Sequence, residues 1–188
     1  SMIFHTKMEN GIKHIFFEET LRRWHFELIV KLSQYSRERV NYTLKKLINE
    51  EFIIKVKPKG KMPYYIANRE LPSFRIEKRI YGLTLLEKST LLEHLNSISN
   101  IKTAIIFGSF ARGDWNKSSD IDIFIYGNAG GFNKAIMEKR LKREIQLFAY
   151  DNLKTINQEL DKGLIHNIVN GFNVKGNLEP FKVSIDAE

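Results

Sequence analysis

The sequence predicts an α+β protein of two domains, and three observations carry that reading. Charge divides unevenly: residues 1–82 hold 17 Lys and Arg against 9 Asp and Glu, whereas residues 83–188 hold 13 of each. The first part has two amphipathic helical stretches followed by a lysine-bearing hairpin. The second has short apolar, β-branched runs, one closed by Gly-Ser and one opened by paired aspartates. The domains are placed at 2–82, including a connecting helix, and 83–188. A chain of 188 residues with 43% hydrophobic content can bury a real core in each.

Composition excludes several classes. There is no cysteine, so disulfides and thiolate metal sites are ruled out. No apolar run approaches the ~20 residues of a membrane span, and SMIFHTKMEN lacks a signal-peptide pattern. The expected setting is cytoplasmic, with no membrane partner. Ser1 ahead of Met2 reads as a cloning remnant. The net charge of +8 falls in the first domain and points to nucleic acid or an acidic partner there. There are no repeats or low-complexity tracts.

In chain order, Thr20 to Gln34 carries Phe26, Ile29 and Val30 at helical spacing, with His25 a structural residue near the helix start. Gln34-Tyr35 interrupt it. Ser36 is a good N-cap for a second helix, RERVNYTLKKLINEE, whose Val40, Leu44, Leu47 and Ile48 form a core stripe. Its opposite face presents Glu38, Arg39, Tyr42, Lys45, Lys46 and Asn49. Two strand arms follow, with Ile54 and Val56 in one and Tyr64 and Ile66 in the other. The turn between them is Pro58-Lys59-Gly60-Lys61. Lys55, Lys57, Lys59 and Lys61 recur at every second residue, which puts the lysines of the strand on one face. Leu71-Pro72 breaks the chain, and helix is expected over Arg75–Tyr81 and Leu83–Ile98.

Two helices joined by a tight turn and followed by a basic hairpin resemble the winged helix-turn-helix fold, over roughly Lys13 to Ala67. The resemblance implies binding of double-stranded DNA. The 36–50 helix, through Arg39, Tyr42, Lys45 and Lys46, would enter the major groove, and Lys55, Lys57, Lys59 and Lys61 would touch phosphate. Lysines that merely solubilise an exposed hairpin, or a protein-docking module, are the alternatives.

In the second domain, Lys102–Phe107 (KTAIIF) reads as a buried strand ended by Gly108-Ser109, with a helix able to begin at Phe110-Ala111-Arg112. Strand, Gly-Ser turn and helix start make an anion cradle. Glycine admits a phosphate to the backbone, free N–H groups point outward, and the serine hydroxyl adds a donor. Asp120–Tyr126 (DIDIFIY) is the next strand. Alternation sets Asp120 and Asp122 on one face, with Ile121, Ile123 and Ile125 on the other. Two such carboxylates can converge on Mg²⁺, which takes one or two carboxylates together with substrate phosphates.

Gly-Ser, ten residues, then Asp-x-Asp resembles the signature of the polymerase-beta-type nucleotidyltransferase superfamily, and GSFARGDWNKSSDID resembles its minimal nucleotidyltransferase branch. The resemblance covers about Leu83 to Tyr150. It implies a mixed sheet with helices packed on it, and transfer of a nucleoside monophosphate from an NTP, foremost ATP, with loss of pyrophosphate. By the same resemblance, Asp120, Asp122 and a third carboxylate from a neighbouring strand hold two Mg²⁺ ions, for which Mn²⁺ can substitute. Glu144 is the acid available in REIQLFAY, where aspartate is commoner, and would also act as base toward the acceptor. Gly108, Ser109 and Arg112 would bind nucleotide phosphates, although Arg112 can equally pair with Asp114. Some members of the branch are antitoxins that adenylylate a partner toxin, so a protein acceptor is one expectation. The alternative is a DNA-binding transcriptional regulator whose second domain only binds nucleotide or forms a homodimer. Beyond Asp151-Asn152, a helix start, GLIHNIVNGFNVKG reads as helix then turn or strand. His166 is structural or exposed, and Asp186 is solvated.

Overall fold

The chain divides into two units, Ser1–Tyr81 and Gly82–Glu188. The computed structural model describes residues 2–181, so Asp186 lies outside the described residues.

The first unit contains helices α1 (Met2–Glu18), α2 (Phe26–Ser33) and α3 (Arg37–Asn49), then strands β1 (Ile53–Val56) and β2 (Tyr64–Ala67). Helix α4 (Pro72–Lys88) begins here and continues into the second unit. Helix α1 was not legible in the sequence: Gly11 interrupts it, and the apolar spacing of Ile12 and Phe16, both fully buried, is short. The helix expected from Thr20 starts only at Phe26. Trp24 instead pairs with Tyr65, the two residues exchanging backbone N–H···O bonds of 2.8 Å, which extends the β1–β2 hairpin by one bridge.

Gln34 turns the chain between α2 and α3 in a left-handed conformation (φ 59), and its N–H reaches the Val30 carbonyl. Ser36 then caps α3, its hydroxyl accepting from the Arg39 N–H. Val40, Thr43, Leu44 and Leu47 are buried, the one-face stripe of an amphipathic helix. Antiparallel pairing of Ile53 with Ala67 and Val56 with Tyr64 aligns the hairpin. Its buried residues are Ile53, Tyr65 and Ala67, while Ile54 is exposed. Phe17, Phe52 and Phe74 form an edge-packed cluster with centroids 4.9–5.9 Å apart. Each such buried ring contributes about 1.5–3 kcal/mol from burial.

Charged groups brace the same core. Lys13, nearly buried, pairs with Glu9 and Glu77 and lies over the Phe52 ring. Lys46 of α3 reaches Glu9 at 2.5 Å. Burial opposes ionisation of Glu9, but the hydrogen bonds from Lys46 and Lys13 outweigh it and hold this carboxyl below its ordinary value.

The second unit contains the end of α4, α5 (Leu91–Ser97), β3 (Ile101–Phe107), α6 (Gly108–Arg112), β4 (Ile121–Gly127), α7 (Lys134–Leu141), β5 (Ile145–Tyr150), α8 (Leu153–Glu159), α9 (Lys162–Val169) and β6 (Phe172–Lys175). A short 3-10 helix, Glu179–Phe181, follows. The expected break near Gly82 falls instead at Thr90, which takes a left-handed φ of 66 ahead of α5. Strand order is β5-β4-β3-β6. β3 runs antiparallel to β4 and β6, while β4 and β5 are parallel across the α7 crossover, so the sheet is mixed. β4 is central and buried on both faces over most of its length. Ile105, Phe107 and Phe124 share a face with Asp122 and pack with Ile156, Leu160, Ile168 and Phe181. That apolar cover stops short of Asp122, which is half-buried. Among the described residues no helix is long and apolar enough to cross a membrane.

The Glu9 contacts give a pH signature. Ionised Glu9 stabilises the fold above its ordinary value of 4.5, and that contribution fades as pH falls through its lower folded value. Thermal unfolding should show wild type more stable than Glu9→Gln at pH 7. The difference should shrink toward zero as pH drops below 4.5.

Candidate functional site

The site is built where β3 ends. Phe107 is extended, and Gly108 then takes φ +69, a left-handed conformation that costs an L-residue about 1–2 kcal/mol. Space makes the same demand. A Cβ at Gly108 would stand 2.0 Å from the Asp122 Oδ2, so only glycine lets this turn and that carboxylate coexist. α6 is five residues long, anchored by buried Phe110 and Ala111, and closed by Gly113 (φ 86), whose N–H bonds the Ser109 carbonyl at 2.8 Å. Arg112 pairs with Asp114 at 3.2 Å and also acts electrostatically on Asp122.

The segment before β4 is knotted by its own polar atoms. The Ser118 N–H and hydroxyl both reach Asn116 Oδ1, at 2.9 and 2.7 Å, and the Asn116 N–H reaches Ser119 Oγ at 2.9 Å. Trp115, fully buried, stacks on Phe110 with centroids 5.2 Å apart. This closed turn delivers Asp120 to the start of β4. Arg143 also touches the turn, donating to carbonyls of Asn116 and Lys117.

Asp122 stands in register with Phe107 on β3 and with Gln146 on β5. Burial, and next the negative charge of Asp120, push its carboxyl above the ordinary value of 3.8; Arg112 only partly offsets this. Among the described residues neither aspartate has a hydrogen bond or ion pair. Two neighbouring carboxylates, one half-buried and neither neutralised by a bonded cation, fit a hard divalent ion that would be completed by phosphate oxygens.

Glu144 departs from its expected place. It is exposed and lies one residue ahead of β5, with its carbonyl accepting from the Ile121 N–H at 2.9 Å. Gln146, not an acid, is the residue in register with Asp122. Among the described residues no group of three His, Cys, Asp or Glu side chains is arranged to hold a metal. A separate cavity of about 460 Å³ opens at the other ends of β4 and β5, beside Asn128, Tyr150 and Glu159, five or more residues along β4 from Asp122.

On the first unit, Arg39, Tyr42 and Lys45 lie exposed on α3. Lys46 differs from expectation, being tied to Glu9 and Glu50. Only Lys55 of the four hairpin lysines lies within a strand, on the face of Ile53, with its ammonium 5.8 Å from the Tyr65 ring. Lys57, Lys59 and Lys61 fall in the connection, where Pro58 cannot donate to a ladder and Gly60 turns left-handed (φ 70), so strand alternation no longer assigns them a face. All three are exposed.

Comparison with known proteins bears on the second unit. Residues 89–175 match the family model described as Polymerase beta, Nucleotidyltransferase. A Methanocaldococcus jannaschii protein named "Putative protein adenylyltransferase" is 43% identical over 47 residues, covering 22% of this chain and 47% of that protein. The chain therefore spans about half the length of that relative. A crystal structure of a "putative nucleotidyltransferase from Sulfolobus solfataricus" is 22% identical, covering 53% of this chain and 84% of that one, with a TM-score of 0.28. The family match and the relative support placing this region in the nucleotidyltransferase superfamily.

Stability reports on the aspartate site directly. The folded state holds the Asp122 proton more tightly than the unfolded chain, so ionisation removes stability as pH rises from 3.8 through the raised folded value. Without added metal, Asp122→Asn should therefore raise the melting temperature at pH 7, and the gain should vanish below pH 3.8.

Proposed function

We propose that the second unit transfers a nucleoside monophosphate from an NTP, foremost ATP, to an acceptor hydroxyl, and that the first unit binds double-stranded DNA. The observation that carries the first part is the Asp122 carboxylate. It is half-buried beside Asp120, free of any protein hydrogen bond among the described residues, and held against Gly108 at the end of β3. Asp120 and Asp122 would hold Mg²⁺, with Mn²⁺ as substitute; the ion would neutralise the triphosphate and polarise its phosphorus. Gly108 gives the Asp122 carboxylate its place at the turn, Ser109 offers a phosphate a hydroxyl, and Arg112 can exchange Asp114 for a phosphate. An acceptor oxygen attacks the α-phosphorus, the bond to the bridging oxygen breaks, and pyrophosphate leaves with that electron pair. The acceptor proton passes to a base, for which exposed Glu144 is the nearest acid in sequence to β5.

The relative named as a protein adenylyltransferase favours a protein as acceptor and AMP as the transferred group. One observation favours a second reading, in which the domain binds nucleotide without turnover: no third acid joins the aspartates among the described residues. The chain would then be a DNA-binding regulator, monomeric or a homodimer.

For the first unit, the order helix, bridge, helix, helix and hairpin supports a winged helix-turn-helix. Arg39, Tyr42 and Lys45 would face the groove. Lys57, Lys59 and Lys61 would contact phosphate, with Lys55 at the hairpin's base. Lys46 would first have to leave Glu9.

Calorimetric titration of ATP, CTP, GTP and UTP with Mg²⁺ tests the nucleotide site without knowledge of the acceptor. Wild type should bind, ATP most tightly, and Asp120→Asn with Asp122→Asn should abolish metal-dependent binding. Absence of binding by wild type would refute the assignment. Separately, Lys57→Ala with Lys59→Ala should reduce the log–log salt slope of DNA binding by about 1.8, at about 0.9 for each phosphate that is no longer neutralised. Nucleotide binding should stay unchanged in that variant; equal loss of both activities would contradict a division of labour between the units.

A further inference from the structure

Arg143 makes a set of contacts that the nucleotide site does not use. Its Nη1 donates to three carbonyls of one turn: Asn116 at 2.7 Å, Lys117 at 2.8 Å and Ser119 at 3.3 Å. Its guanidinium carbon lies 5.2 Å from the Phe110 centroid and 5.3 Å from that of Trp115. Phe110 and Trp115 stack at 9° and are buried. One cation thus joins α6, which carries the Gly108-Ser109 turn, to the segment that ends in Asp120.

The base of Arg143 is itself held. Its N–H donates to the Glu138 carbonyl at 3.3 Å, and the Ile145 N–H donates to Glu138 Oε1 at 2.9 Å. Glu144 between them receives the Ile121 N–H. The side chain therefore works from a fixed point on the β5 strand start. Carbonyls that converge on one point repel one another unless a donor fills it. A planar guanidinium suits this place, because it can lie against the two aromatic rings while one of its nitrogens meets the oxygens. Lysine has the charge without the plane.

We propose that Arg143 is a positioning residue for the aspartate site: it orders the Asn116–Ser119 turn in the metal-free protein and so sets Asp120 beside Asp122 before a cation arrives. The role rests on the reading above that these aspartates hold a divalent metal. Arg143 itself touches neither metal nor substrate in this role.

The test compares wild type with Arg143→Met and Arg143→Lys in the full chain, by amide hydrogen exchange without metal and by calorimetric titration of Mn²⁺ alone. Both variants should exchange faster at Ser118, Ser119 and Ile121, keep wild-type protection along β3, and weaken Mn²⁺ binding about tenfold or more, the usual effect of removing a group that orients metal ligands. Arg143→Lys should resemble Arg143→Met, since charge without the plane that meets Phe110 and Trp115 does not suffice. Unchanged exchange in the turn, or unchanged Mn²⁺ affinity with a loosened turn, would overturn the role. If Arg143→Met loses protection along β3, Arg143→Lys decides. Loss there as well would make Arg143 a core residue and also overturn the role. A wild type that binds no Mn²⁺ would refute the metal assignment instead; the exchange data would then still show whether Arg143 orders the turn.

Discussion

Asp122 and Gly108 occupy one small space, and the organisation around the site follows from that. The carboxylate sits half-buried, next to another acid and without a bonded partner among the described residues, a costly arrangement for an ionised group. The backbone opposite has given up its side chain to admit it. Folding alone gains nothing from this pairing. A bound cation would turn the same geometry from repulsive to attractive, which favours the proposed metal-binding role over a stabilising one.

The sheet supplies the rigidity that such a site needs. β4 is central, with hydrogen-bonded neighbours on both sides, and its apolar residues fix where each aspartate stands. Phe124 on the Asp122 face is covered by the cluster that includes Ile156, Ile168 and Phe181, while Asp122 itself is only half-buried. A single strand is therefore buried where it must be held and open where chemistry would occur. Off the strand, precision depends on the Asn116 turn and Arg143, because Asp120 precedes β4 and has no ladder of its own.

Much of this was legible in the sequence for a physical reason. Strand alternation is a local rule, so KTAIIF and DIDIFIY announced both strands, although Asp120 falls one residue ahead of β4. Capping is local too, which is why Ser36 and Asn152 stand where their side chains suggest, each accepting a backbone N–H at the start of a helix. What depended on distant partners was hidden. Trp24 lies inside the stretch expected to be helical, but its backbone is claimed by Tyr65, 41 residues later. Lys46 looked free to enter the major groove, but Glu9 of α1 claims it. Glu144 looked like part of a strand that begins one residue later. Arg143 carried no signal, because a lone arginine near a strand start has meaning only once Phe110, Trp115 and the Asn116 turn are assembled around it.

The central claim is that the aspartate pair is poised for a cation. Carbon-detected NMR titration of the side-chain carboxyls tests it most directly, in the absence and presence of Mg²⁺. The Asp122 carboxyl should titrate above 3.8 in the metal-free protein, and saturating Mg²⁺ should bring its midpoint down by competing with the proton. An Asp122 that titrates at or below 3.8 and ignores Mg²⁺ would contradict the account.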